Sequence, residues 1–231
     1  MLFLWTFVLI YDKIRMDKRG LGMIEIIFED RDIVACIKPC GMSSENDLPK
    51  ALKEQLSSEI YTLHRLDVPV GGVMVYAKNK IAAAKFSQKI SEKTDFIKTY
   101  LVLCEGIFEE QEGEMYDLLF KDSRKNKSFV VKRERKGVKK ARLFYKVLES
   151  GMFEEKEYSL VEVRLETGRS HQIRVQFSSR RHPLFGDGKY GSTVNCPIGL
   201  YSHKIETENM IFEKELPDEK PWNILKKEVQ V

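Results

Sequence analysis

The chain has 231 residues, 42% of them hydrophobic, and a formal net charge of +4. That is enough for one large domain or two small ones, and too apolar for a disordered chain. The four cysteines (Cys36, Cys40, Cys104, Cys196) form no paired CxxC spacing, and no further ligands stand beside Cys36 and Cys40. Neither a disulfide framework nor a metal site is expected, and the thiols point to a reducing cytoplasm.

Residues 1–11 read MLFLWTFVLIY, without a charge. The run is too short to cross a bilayer and lacks both a basic leader and a small-residue cleavage site. Met23 stands directly before the first alternating segment. Residues 1–22 are therefore expected to be an N-terminal extension from an upstream start assignment, and residues 23–231 the working domain. The competing reading for 1–22 is an interfacial anchor.

Ile24–Phe28 and Ile33–Lys38 read as two short strands around an acidic turn. Asp47 can cap a helix carrying Leu48, Ala51, Leu52, Gln55 and Leu56. A buried-type strand, Gly72–Ala77, follows the Asp67 turn, and Asn79 can cap a second helix from Lys80 to about Ser91. Thr99–Glu105 is strongly β-type. Phe129–Val131 and Ala141–Leu148 predict a hairpin around the polar segment Arg133–Gly137. Leu160–Leu165 alternates again, with Val161, Val163 and Leu165 on one side. Ser170 can cap a short helix with Ile173 and Phe177 one turn apart. The Gly- and Pro-rich stretch 182–191 predicts a loop of set shape, and 200–206 and 210–212 the last strands. Many strands with a few interspersed helices make an α+β domain with a mixed sheet.

Charge is uneven. Residues 121–142 hold eleven Lys or Arg against Asp122 and Glu134, a net +9, which leaves −5 for the remainder. Concentrated positive charge suits a polyanion, with Lys132, Arg133, Arg135, Lys136, Lys139 and Lys140 as candidate contacts. The alternative is a solvated hairpin.

Three separated blocks carry candidate chemistry: His64-Arg65-Leu66-Asp67, Lys98-Thr99-Tyr100, and Gly168-Arg169-Ser170-His171-Gln172-Ile173-Arg174. Taken singly, an Asp in a turn is most often a cap, and a Tyr in a strand most often core. Together, HRLD with its GGVMVYAK strand, KTYLVLCEG, and ETGRSHQIRVQ followed by HPLFGDGKYG resemble the RluA-type family of RNA pseudouridine synthases. The resemblance runs from about Ile26 to about Trp222.

That resemblance implies a single catalytic domain on a mixed, mostly antiparallel sheet with flanking helices and an RNA-binding cleft. It also implies isomerisation of uridine to pseudouridine in structured RNA (a ribosomal or transfer RNA stem-loop), with no cofactor. Asp67 is then the essential carboxylate, with attack on the sugar, addition to the base and removal of a sugar proton all open as its role. Arg174 resembles the family's basic partner of that Asp, and Tyr100 the aromatic that stacks on the target base. Arg65 resembles the residue that fills the vacancy left by a flipped base; a structural pair with Asp67 is the other reading. Arg169 either binds phosphate or closes a structural pair, and Ile173 is either a wall beside the base or core. His64 and His171 are read as packing and hydrogen-bonding residues. Departures from the family pattern are Val68-Pro69-Val70 where polar residues are usual, Gln176 where a His is common, and Tyr201 in place of another. No membrane or protein partner is implied, and a monomer is expected. The runner-up is an RNA-binding protein of the same fold without chemistry.

Overall fold

Gly71–Ala77 is buried at every position. Met74 and Tyr76 face one hydrophobic cluster, Val73 and Val75 another. This is the pattern of a strand whose sheet is covered on both faces. The computed structural model describes residues 23–92 and 95–226, so the expected extension 1–22 lies outside the described residues.

In chain order the elements are β1 (Ile26–Glu29), β2 (Ile33–Lys38), α1 (Asp47–Leu56), β3 (Tyr61–Thr62), β4 (Gly71–Ala77), α2 (Lys80–Glu92) and β5 (Phe96–Glu105). They continue with β6 (Glu112–Asp122), β7 (Lys127–Val131), β8 (Val138–Phe153), β9 (Lys156–Leu165), α3 (Gln172–Ser179), β10 (Leu200–Thr207) and β11 (Ile211–Glu213). One sheet joins the strands in the order β1-β2-β4-β10-β5-β9-β8-β6-β7, with β3 beside β4 and β11 beside β10. Every pairing is antiparallel except β4 with β10. This is the mixed, mostly antiparallel α+β sheet that the sequence predicts.

The helices close the two faces. Leu48 and Leu52 of α1 and Ile173 and Phe177 of α3 join the cluster containing Met74, Tyr100, Val161 and Val163. Phe86 and Ile90 of α2 pack against the opposite cluster, with Ile33, Val75 and Phe212. Asn79 caps α2 as expected: its Oδ1 accepts the Ala82 N–H at 2.8 Å.

Two expected caps are corrected. Asn46, not Asp47, is the N-cap residue of α1, and it makes no side-chain cap bond. Asp47 instead accepts the Ser43 N–H through Oδ2 at 2.9 Å. At α3 the N-cap position belongs to His171, in the left-handed region at φ 54°, rather than to Ser170. His171 turns back there to bond Tyr190, with Nδ1 2.9 Å from the phenol oxygen.

The predicted hairpin is corrected too. Between β7 and β8 lies β6, which pairs with both. Its charged sequence, EGEMYDLLFKD, hides a strand whose buried positions are Met115 and Leu119. The basic segment is therefore the connection between two strands that flank a third.

Candidate active site

Asp67 sits in a tight turn, closed by the Val70 N–H donating to the Asp67 carbonyl at 3.0 Å. Lys38 fastens that turn from beneath. Its buried ammonium donates to the carbonyls of Pro39 at 3.0 Å, Val68 at 3.1 Å and Val70 at 2.6 Å. Burial pulls Lys38 down to about 8. With no polar side chain at 68–70, the turn is held through its backbone carbonyls.

The turn and Tyr100 meet through β10. Ser202 pairs with Gly72 on one side and with Tyr100 on the other. The approach to β4 is so close that a Cβ on Gly72 would lie 2.3 Å from the Ser202 carbonyl oxygen, and Gly72 has φ +116°. Only glycine fits there. The strand after Asp67 is thereby drawn to within one strand of Tyr100.

Arg174 arrives from α3. All of Gln172 to Phe177 is buried, although three of the six are polar. Each polar residue has its own partner, which is what burial demands. Gln172 accepts from Thr167 Oγ1 at 2.7 Å and the Arg169 N–H at 3.0 Å. Gln176, at a position where the family commonly has His, donates to the Met115 carbonyl at 3.1 Å and to Asp117 at 2.7 Å. It is a structural tie to β6. Tyr201, the other departure, packs edge-on to Trp222 on the far side of the sheet.

Arg174 donates through Nη1 to Oδ2 of Asp67 at 2.9 Å, and through Nε and Nη2 to the two oxygens of Asp187 at 2.7 and 2.8 Å. Burial alone would lower the guanidinium's pKa, but the bonds to Asp187 and Asp67 carry it upward. Its plane also lies over the Tyr190 ring, 5.1 Å from the centroid. Burial, and then the charge of Asp67, lift the Tyr100 hydroxyl well above its ordinary value. Tyr100 is a neutral phenol beside the Asp67 carboxylate. His171 Nε2 stands 3.7 Å from Asp67 Oδ2, too far for a hydrogen bond. Burial, ahead of Arg174 and Lys189, lowers its pKa, so it is neutral near pH 7 and forms no ion pair.

Asp67, Tyr100 and Arg174 open onto one cleft of about 1010 Å³, also lined by Arg65, Arg169 and Ile173. Ile173 serves both readings at once, being 4% exposed in the core and on the cleft wall. Arg169 donates through Nε to the Lys140 carbonyl at 3.0 Å, which ties the entrance of α3 to β8. Arg65 pairs with Glu45 at 3.1 Å, not with Asp67. Asp67 is taken by Arg174, which leaves Arg65 on an exposed pair that a ligand can displace cheaply. His64 accepts the Val75 N–H through Nε2 at 3.1 Å, in keeping with a packing role.

Lys132, Arg133, Arg135, Lys136, Lys139 and Lys140 are exposed and do not line the cleft. Arg135 covers the Phe120 ring, and Lys140 pairs with Glu134 at 3.3 Å. Lys98 of the second block, Lys121 of the basic segment and Arg164, which sequence reasoning missed, add to the cleft's positive charge. Asp187 was missed as well. Its signal was an acid between two glycines in the 182–191 loop, where Gly186 at φ +70° passes so close to Cys196 that a Cβ would meet its carbonyl oxygen at 2.3 Å.

The pattern of a family described as RNA pseudouridylate synthase matches residues 32–179, which include Asp67, Tyr100 and Arg174. The chain is 31% identical over 216 residues to the uncharacterized RNA pseudouridine synthase YhcT of Bacillus subtilis (strain 168), covering 87% of this chain and 69% of the relative. It is 34% identical over 229 residues to an RNA pseudouridine synthase of Aquifex aeolicus (strain VF5), at 84% and 70% coverage. A tRNA pseudouridine synthase C of Vibrio cholerae is 28% identical over 189 residues, at 75% and 76% coverage. Among solved structures, human RNA pseudouridylate synthase domain containing 1 superposes with a TM-score of 0.72 at 25% identity, covering 84% of this chain and 83% of that one. These relatives give no support to a binding protein without chemistry. Sequence blocks, sheet and relatives agree that the chain belongs to the RNA pseudouridylate synthase family and isomerises uridine in RNA to pseudouridine.

Proposed function

We propose that the substrate is a uridine in a structured transfer or ribosomal RNA, turned out of its stack into the cleft. Asp67 is the essential carboxylate, Arg174 holds it in position, and Tyr100 stacks on the base with its hydroxyl as a donor. Arg65 enters the vacancy left by the base: a planar cation offsets part of the few kcal/mol that unstacking costs. Arg169 and Ile173 border the base, and the basic segment 132–140 holds more distant phosphates. The reaction breaks the bond from nitrogen 1 to the sugar, turns the uracil and bonds carbon 5 to the same sugar carbon; carbon 5 gives up its proton and nitrogen 1 takes one up. It changes no oxidation state and calls for no cofactor. The enzyme works as a cytoplasmic monomer.

One observation carries this reading. The guanidinium of Arg174 spans Asp187 and Asp67, so the carboxylate that faces the cleft is held in place by a buried counter-charge. The names of relatives that act on transfer RNA support that class of substrate. Pseudouridine mapping of total RNA from cells with and without the gene tests it. The expected result is loss of specific pseudouridines from transfer or ribosomal RNA. An unchanged map would overturn it.

A further inference from the structure

Lys98 lies two residues before Tyr100 on β5, so both side chains leave the same face of the sheet. Along the strand they are about 7 Å apart, a distance that a single nucleotide spans. Its register partners are Leu165 on β9 and Ile205 on β10. The ammonium crosses toward the turn before α3, where a Cβ on Gly168 would stand 3.3 Å from Nζ. Lys98 is half-buried and lines the cleft.

Among the described residues, no hydrogen-bond acceptor and no carboxylate is paired with Lys98 Nζ. The acids of the cleft are engaged elsewhere: Asp67 with Arg174, Glu45 with Arg65, and Glu166 with Arg142 at 3.2 Å. Burial lowers the pKa of Lys98. Such a site favours an incoming anion, which repays the desolvation. Among the described residues the buried Nδ1 of His64 has no partner either, and Lys98 is close enough to act on that ring's charge. His64 is neutral, so it does not repel the ammonium.

We propose that Lys98 binds one backbone phosphate flanking the target uridine. An ammonium presents three donors without an acceptor, which fits a phosphate rather than a base edge. The contact deepens the function proposed above and rests on it.

The test uses the full chain and the stem-loop that mapping identifies, with each phosphate flanking the target uridine replaced in turn by a neutral methylphosphonate. Binding is measured on an Asp67→Asn background across a range of KCl concentrations. One neutral linkage should weaken binding by about tenfold, as loss of one charge-assisted hydrogen bond does. Lys98→Gln should bind native RNA about tenfold more weakly, ignore that linkage, and show a salt slope shallower by about one. With Asp67 intact, it should raise KM and leave kcat nearly unchanged, and Lys98→Arg should restore KM. A Lys98→Gln variant with the original salt slope and the original response to every neutral linkage overturns the proposal. The same holds if no single linkage matters to the protein with Lys98 intact. A gene deletion that removes no pseudouridine instead overturns the isomerase reading itself, so the two failures are distinguishable.

Discussion

Arg174 and Asp67 are joined at 2.9 Å although 107 positions separate them in the chain. Side-chain exposure falls from 21% at Asp67 to 7% at Arg174 and 1% at Asp187. The innermost carboxylate neutralises the guanidinium, and the guanidinium presents the outermost carboxylate to the cleft. A buried cation between two acids is retained because each removal leaves a charge without its counterpart.

Asp67→Asn tests the outer end. Isomerisation should fall by at least about 10³-fold, because the amide is neither charged nor nucleophilic. RNA affinity, set by phosphate contacts, should remain. Pseudouridine quantification and a binding titration on the same stem-loop check both. Full activity would remove Asp67 from the chemistry.

Asp187 tests the inner end. Asp187→Ala should cost about 3–5 kcal/mol of stability, read by urea denaturation, because Arg174 keeps its charge and loses two of its three bonds. Asp187→Asn, which retains one acceptor, should cost less. Both should lower kcat although Asp187 does not line the cleft. A variant with unchanged stability would show that the pair is ornamental.

Lys38→Met leaves the carbonyls of Pro39, Val68 and Val70 without their shared donor. A loss of about 1–3 kcal/mol is expected for unsatisfied groups in such a position. Because the Val68 and Val70 carbonyls belong to the turn that aims Asp67, kcat should fall more than RNA affinity. An equal fall in both would indicate general loosening of the fold.

His64 predicts the response to acid. Burial, with Lys98 adding to it, pushes His64 from 6.5 down to about 3. Between those values the unfolded chain takes up a proton that the folded protein refuses. Stability is therefore full above pH 6.5 and falls as pH drops toward 3, by about 1.4 kcal/mol per pH unit for this group. His171, also lowered, acts in the same direction. Urea denaturation just below pH 6.5, before the carboxylates titrate, reads the slope. His64→Gln can still accept the Val75 N–H and should flatten it; an unaltered slope would contradict the assignment.

Neutralising Lys132, Arg133, Arg135 and Lys136 together should weaken RNA binding and flatten its salt dependence, with little effect on kcat at saturating RNA. Binding titrations at several salt concentrations decide it. An unchanged slope would make this segment a solvated face.

The strands were legible where burial is periodic. Val161 and Val163 announce themselves by alternating with Glu162 and Arg164, and Gly71–Ala77 by an unbroken run without a charge, as a strand covered on both faces requires. Segment 112–122 was not, since its charges mask the buried Met115 and Leu119. The blocks around Asp67, Tyr100 and Arg174 were readable only as a set, through their family resemblance.

Local chemistry in the chain determined the elements, the glycine-dependent turns and the three blocks that meet in the cleft. Tertiary structure alone decided the partners: Arg174 shared between Asp67 and Asp187, Arg65 left to Glu45, and Lys38 beneath the Asp67 turn. Periodicity is written between neighbours. The choice of ionic partner depends on which groups lose water together, and that is settled only when distant strands close on one another.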